Sequence, residues 1–232
     1  MTCAHFAVVP AAGSGSRFGG TQPKQYQSIR GRTLLEHAVD ALVRQPSIEC
    51  VFVVLSPGDA DYVRCHWSAR AEVIPLYCGG PTRACSVFNG LMSIRDRVDE
   101  ADWIWVHDAA RPCVSASELE RLLRALENDE VGGLLALPVA DTLKRGDDCD
   151  RVIGTAPREG LWRALTPQVF RYRLLVEALH RANPAEITDE AAAIEGLGLK
   201  PRLVAGAATN IKVTYPEDIA LAAAILAQRE GG

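Results

Sequence analysis

Along this chain, short apolar runs alternate with longer stretches in which apolar residues recur every three or four positions. Residues 6–9, 50–55, 73–76, 103–106 and 134–137 contain no charged side chain; such runs mark strands covered on both faces. Apolar residues at 34, 35, 38, 39, 42 and 43 form a helical stripe, and Thr33 with Glu36 supplies a capping box at its start. Further helices are expected up to about Ile94, from a second capping box at Ser117 and Glu120 to about Glu127, and around Leu174, Leu175, Ala178 and Leu179. Thr188 reads as the N-cap of another helix, ended by glycine. Residues 210–214 read as a short strand before a terminal helix, with Pro216 in its first turn and acids at 217 and 218. This alternation predicts an α/β fold: a Rossmann-like, mainly parallel, doubly wound sheet. Ligands of such sheets bind beyond the carboxyl ends of the strands, where the loops after Val9, Leu76 and Val106 fall.

One segment departs from the alternation. Residues 139–160 are polar, with Gly and Asp turn signals between short Val, Ile and Thr pieces. They read as a β-hairpin arm projecting from one domain spanning residues 1–232; a charge-dense loop without fixed structure is the alternative.

The first loop, Pro10 to Gln25, holds Gly13 and Gly15 together with Arg17 and Lys24. Glycines let backbone N–H groups approach phosphate oxygens, and the two cations would flank them. A dinucleotide fingerprint needs glycine where Phe18 stands, and a Walker A loop needs a Gly-Lys pair that the chain lacks. A plain surface turn would also be rich in Gly and Ser, but it has no use for both cations. Three further stretches stand out: Gly79-Gly80 with Arg83 and Ser86, the run from His107 through Asp108 to Arg111, and Lys212 in an apolar setting. A lysine there needs an anionic partner.

Taken in order with Pro10-Ala11-Ala12-Gly13 and Lys24-Gln25, these stretches resemble the sugar-phosphate nucleotidyltransferases, and among them the methylerythritol phosphate cytidylyltransferases of the non-mevalonate isoprenoid pathway. The likeness covers nearly the whole chain. It implies transfer of cytidylyl from CTP to 2-C-methyl-D-erythritol 4-phosphate, giving 4-diphosphocytidyl-2-C-methyl-D-erythritol and pyrophosphate. By resemblance, Arg17, Lys24 and Lys212 are catalytic and sit at the phosphates. Ala11, Ala12, Gly13, Gly80, Arg83, Ser86 and Ala109 bind the nucleotide, and Asp108, Arg111, Thr142, Arg158 and Thr188 bind the acceptor. The hairpin is implied to embrace a second subunit of a homodimer, bringing its residues to the partner's site. Mg2+ is implied as cofactor, held mainly by the CTP phosphates. Pro81 stands where many members carry an acid, leaving backbone contacts to the base at that position.

The chemistry suits such residues. A phosphate monoester is already mostly ionised near neutral pH, its second pKa being about 6, so no general base is required. Fixed cations and a divalent ion stabilise charge on the α-phosphate as pyrophosphate departs. His107 therefore reads as packing. Plainer roles stay open at this stage: capping for Asp108 and Thr188, and a surface ion pair for Arg111.

Composition narrows the remaining classes. A net charge of −4 argues against non-specific nucleic-acid binding. Seven cysteines without a C-x-x-C pair suggest reduced thiols, and hence a cytoplasmic location. No run approaches the roughly 20 apolar residues of a membrane span, and no signal-peptide pattern opens the chain. The rivals left are a ribitol-phosphate cytidylyltransferase, a nicotinamide-dependent oxidoreductase and a non-catalytic nucleotide-binding module.

Overall fold

The computed structural model describes residues 3–13, 18, 22–67, 72–184 and 186–230. In chain order the elements are β1 (His5–Pro10), β2 (Ser28–Ile29), β3 (Arg32–Thr33), α1 (Leu34–Val43), β4 (Ile48–Val54), β5 (Glu72–Leu76), α2 (Arg83–Ser93), β6 (Trp103–Val106) and α3 (Ala116–Leu126). There follow β7 (Gly132–Pro138), β8 (Leu143–Gly146), β9 (Val152–Ala156), β10 (Trp162–Arg171), α4 (Tyr172–Arg181), α5 (Glu190–Glu195), β11 (Arg202–Ala205) and α6 (Asp218–Glu230). A seven-stranded sheet has the order β11-β7-β10-β6-β1-β4-β5. Its pairings are parallel except where β10 runs antiparallel to β6 and β7.

Period-two alternation on the central strands feeds two cores. Ala7 and Val9 of β1 pack with Val51, Val53 and Trp105 beneath Leu35, Leu42, Leu119 and Leu122 of α1 and α3. Phe6 and Val8 face the other way, with Phe52 and Ile104, toward Val87 and Leu91 of α2, Leu175 of α4 and Ile194 of α5. Each fully buried Val, Leu, Ile or Phe among them contributes roughly 1.5–3 kcal/mol. A smaller core of Ile29, Leu34, Cys113, Val213 and Ala222 seats α6.

The strands and helices read from the apolar pattern are present, and four details differ. The second capping box is Ser115 with Glu118, not Ser117 with Glu120, so α3 starts earlier. The same Ser-x-x-Glu spacing occurs twice, and the fully buried Glu118 wins because it also accepts from Ala207 N at 2.8 Å. Asp189 caps α5 in place of Thr188, accepting from Ala192 N at 2.9 Å. Residues 210–214 form no strand, and the terminal helix begins at Asp218, so Pro216 and Glu217 form a turn before it instead of its first turn. Finally, β10 lacks a continuous apolar run, because Thr166, Pro167 and Gln168 interrupt it at the register break against β7. The expected arm is the hairpin of β8 and β9, with Val152 and Ile153 each 66% exposed.

Candidate active site

A cavity of about 430 Å3 lies beyond the carboxyl ends of β1 and β6. Ala11, Ala12 and Gly13 line it from just beyond β1, and Lys24 from the far end of the first loop. Gly80, Arg83 and Ser86 come from the loop after β5 and the start of α2, Asp108 and Ala109 from the end of β6, and Lys212 from residues 210–214. Arg17 lies outside the described residues. Among those described, Arg111, Thr142, Arg158 and Thr188 take no part in this lining. Thr142 and Arg158 belong to the exposed arm, where the Arg158 guanidinium donates to the carbonyl of Ala140.

The first loop is pinned at both ends. Ala11 N donates to Val54 O at 2.8 Å. The buried Gln25 sends Nε2 to Ala11 O at 2.7 Å, which returns the Lys24–Tyr26 turn to the tip of β1. The second loop crosses close above: Gly79 N donates to Leu55 O at 2.8 Å, and a Cβ at Gly79 would stand 2.2 Å from that of Ala12. At Gly80 it would stand 2.6 Å from the Cβ of Cys85. Only glycine fits either position. Ser86 closes this loop on itself, accepting from Gly80 N at 3.0 Å and donating to Thr82 O at 2.9 Å.

The loop after β6 is set by a hydrogen-bond chain. Asp108 N donates to Thr166 Oγ1 at 3.0 Å, Thr166 Oγ1 pairs with His107 Nδ1 at 2.9 Å, and His107 Nε2 pairs with Arg111 O at 3.0 Å. The consistent tautomer carries the proton on Nε2, with Thr166 donating to Nδ1. Burial lowers the His107 pKa to about 4, keeping the ring neutral. Arg111 turns inward, donating to Asn210 O at 2.8 Å. Lys212 is placed by Val213 N bonding Ala110 O at 2.8 Å and by Asp218 accepting from Thr214 N at 2.8 Å.

At the centre stands Asp108, 6% exposed. Arg83 Nε donates to its Oδ1 at 2.8 Å and Lys212 Nζ lies 2.8 Å from its Oδ2. Burial alone would raise the carboxyl, but Arg83, Lys212 and Arg111 outweigh it and hold it well below the usual carboxylate range. Arg83 is gripped in turn by Glu190, at 2.6 and 2.9 Å. Despite its burial, the two carboxylates push the Arg83 guanidinium above its ordinary value.

Sequence reasoning missed Glu190. In the run EAAAIE a first-turn acid reads as an ordinary partner of the helix dipole, and nothing in its spacing names Arg83. Lys212 found the anion that its setting demanded, although it ends no strand. Among the described residues no group of His, Cys, Asp and Glu is arranged to hold a metal ion. What the cavity offers is fixed cations beside glycine-rich backbone, which suits phosphate binding and stabilisation of charge built up on phosphorus.

The family model described as 2-C-methyl-D-erythritol 4-phosphate cytidylyltransferase matches residues 5–228. The protein of that name from an Azoarcus species is 55% identical over 228 residues, covering 98% of this chain and 96% of its own. That from Dechloromonas aromatica is 55% identical over 227 residues, covering 97% and 99%. A crystal structure of 4-diphosphocytidyl-2C-methyl-D-erythritol synthase superposes with a TM-score of 0.84 at 40% identity, covering 97% of this chain and 100% of that one. The Francisella tularensis cytidylyltransferase gives 0.79 at 31% identity, covering 96% and 99%. With that agreement running end to end, the chain belongs to the 2-C-methyl-D-erythritol 4-phosphate cytidylyltransferase family.

Proposed function

We infer that the enzyme transfers the cytidylyl group of CTP to 2-C-methyl-D-erythritol 4-phosphate, releasing pyrophosphate and forming 4-diphosphocytidyl-2-C-methyl-D-erythritol. The observation that carries this reading is the convergence of Lys24, Lys212 and the Gly79-Gly80 loop on one cavity with Asp108 at its centre. The triphosphate fits between Lys24 and Lys212, with Arg17 assigned to it from the sequence. The base fits against Ala12 and Gly80, where Pro81 supplies no side-chain polar group. Asp108 takes acceptor hydroxyls, a task for an ionised carboxylate.

The acceptor phosphate attacks the α-phosphorus, pyrophosphate leaves, and the lysines offset the charge that develops. No residue need remove a proton, which agrees with a neutral, fully buried His107. Mg2+ would arrive on the CTP phosphates and neutralise them. Asp108, the carboxylate in the cavity lining, already has both oxygens engaged by Arg83 and Lys212, so the described residues offer the ion no ready set of ligands.

The rest of the reading follows from the arm. Its exposed Val152 and Ile153, with Leu161 and Trp162 at its base, are apolar surface suited to a homodimer contact. Thr142 and Arg158 would then complete the acceptor site of the partner, with Arg111 and Thr188 supporting the local one. The chain works as one nucleotidyltransferase unit across residues 1–232. Seven free thiols suit the cytoplasm, and no helix among the described residues is long and apolar enough to cross a membrane.

Mass spectrometry of the product tests the nucleotide side. CTP with methylerythritol phosphate is expected to give the diphosphocytidyl ester, with ATP and GTP yielding little. Equal use of all three would overturn the assignment of the Gly79-Gly80 loop to cytosine.

A further inference from the structure

Glu190 has no part in the reaction as drawn, yet it is among the most buried carboxylates of the molecule, at 1% exposed. A buried carboxylate is costly to keep charged unless it is paired. Its partner is Arg83, met by both oxygens in the fork geometry that fixes a guanidinium in plane and in direction. Arg83 then has its Nε aimed at Asp108 Oδ1, and Lys212 takes Oδ2. The four groups form a row of alternating charge, Glu190, Arg83, Asp108, Lys212.

The row is anchored by residues outside the cavity lining. Gln168 of β10 is 1% exposed. It accepts from Ala191 N at 2.8 Å through Oε1 and sends Nε2 to Asp189 at 2.9 Å. Glu190 is thereby held on the sheet at the start of α5, while Arg83 opens α2 and Asp108 ends β6. Three elements distant in sequence meet in one ion network.

We propose that Glu190 is a positioning residue for the acceptor: by occupying two of the Arg83 nitrogens, it leaves only Nε for Asp108, so the remaining faces of that carboxylate stay available to the substrate hydroxyls. Without the grip of Glu190, Arg83 turns both of its ends onto Asp108 and competes with those hydroxyls. This rests on the assignment of Asp108 to the acceptor. The effect therefore falls on the sugar phosphate and not on CTP, although Arg83 itself borders the nucleotide loop.

The test is steady-state kinetics of E190Q against wild type, with CTP affinity measured separately by calorimetry. Glutamine keeps the shape, removes the charge and turns an NH2 toward the guanidinium. The acceptor KM is expected to rise roughly 10-fold, with the Kd for CTP within about twofold and a cooperative melting transition kept at a lower temperature. E190D, which keeps the charge, should recover part of the loss. An E190Q enzyme with a wild-type acceptor KM overturns the proposal. So does an equal loss in both substrates, or a protein that does not fold, since either makes Glu190 a purely structural group. A wild-type enzyme without turnover would overturn the activity reading as well, whereas an active wild type beside an unaffected E190Q overturns this proposal alone.

Discussion

Lys212 Nζ lies 2.8 Å from Asp108 Oδ2, so a cation and a carboxylate proposed to serve opposite substrates neutralise one another. Lys212 is 39% exposed and Asp108 is 8% exposed at the side chain. The lysine is thus the member that can turn toward an arriving phosphate, while the aspartate stays fixed by Arg83.

Lys212→Met is expected to lower kcat by roughly 100- to 1000-fold, the usual loss when one stabilising donor to a developing charge is removed. Folding should persist, because Arg83 still pairs with Asp108. Circular dichroism and single-turnover rates measure the two parts; full activity would remove Lys212 from the mechanism.

Gln25→Ala takes away the bond that closes the first loop and leaves Ala11 O without that partner. A stability loss of about 1–3 kcal/mol is expected, together with a raised KM for CTP as Lys24 loses its fixed base. Urea unfolding and initial rates report each effect.

Gly79→Ala and Gly13→Ala should behave differently. An added Cβ at Gly79 meets Ala12 and Leu55 O at 2.2 and 2.8 Å, whereas at Gly13 it meets nothing within 4 Å. The Gly79 variant is expected to lose CTP binding and to melt lower, and the Gly13 variant to fold as wild type. Thermal melts with and without CTP decide it.

Acid should weaken the loop after β6 through His107. Its pKa falls from 6.5 to about 4 on folding. Between those values the unfolded chain binds more protons, so the contribution is complete above pH 6.5 and is lost as pH falls to 4, about 3 kcal/mol in all. Asp108 is also held low, but from an ordinary value of 3.8, so its contribution is lost only in stronger acid. His5, likewise lowered to about 4, acts in the same window and is common to both proteins of the comparison. Denaturant unfolding at pH 7.5 and pH 5 should therefore show a decline steeper by about 2 kcal/mol in wild type than in His107→Gln. Parallel declines would contradict it.

Much of this fold can be read in the chain because its strands are covered on both faces. The runs around Val8, Val53 and Trp105 carry no polar residue to obscure them. Where polar residues serve the site, the reading failed: Thr166 and Gln168 break the apolar run of β10 because they brace Asp108 and the start of α5. The two glycines and the lysines were legible from residue type alone. Glu190 was not, since its role depends on Arg83, 107 residues away in sequence. A spacing pattern cannot report a pairing made by three separate elements.

The most direct test of the account is pyrophosphate release by the purified enzyme with Mg2+ and CTP, offered methylerythritol phosphate in one reaction and ribitol 5-phosphate in another. Release with methylerythritol phosphate and little with ribitol 5-phosphate is the predicted result. The reverse preference would keep the phosphate chemistry and overturn the acceptor. Silence with both, in a folded protein that binds CTP, would contradict the catalytic reading itself.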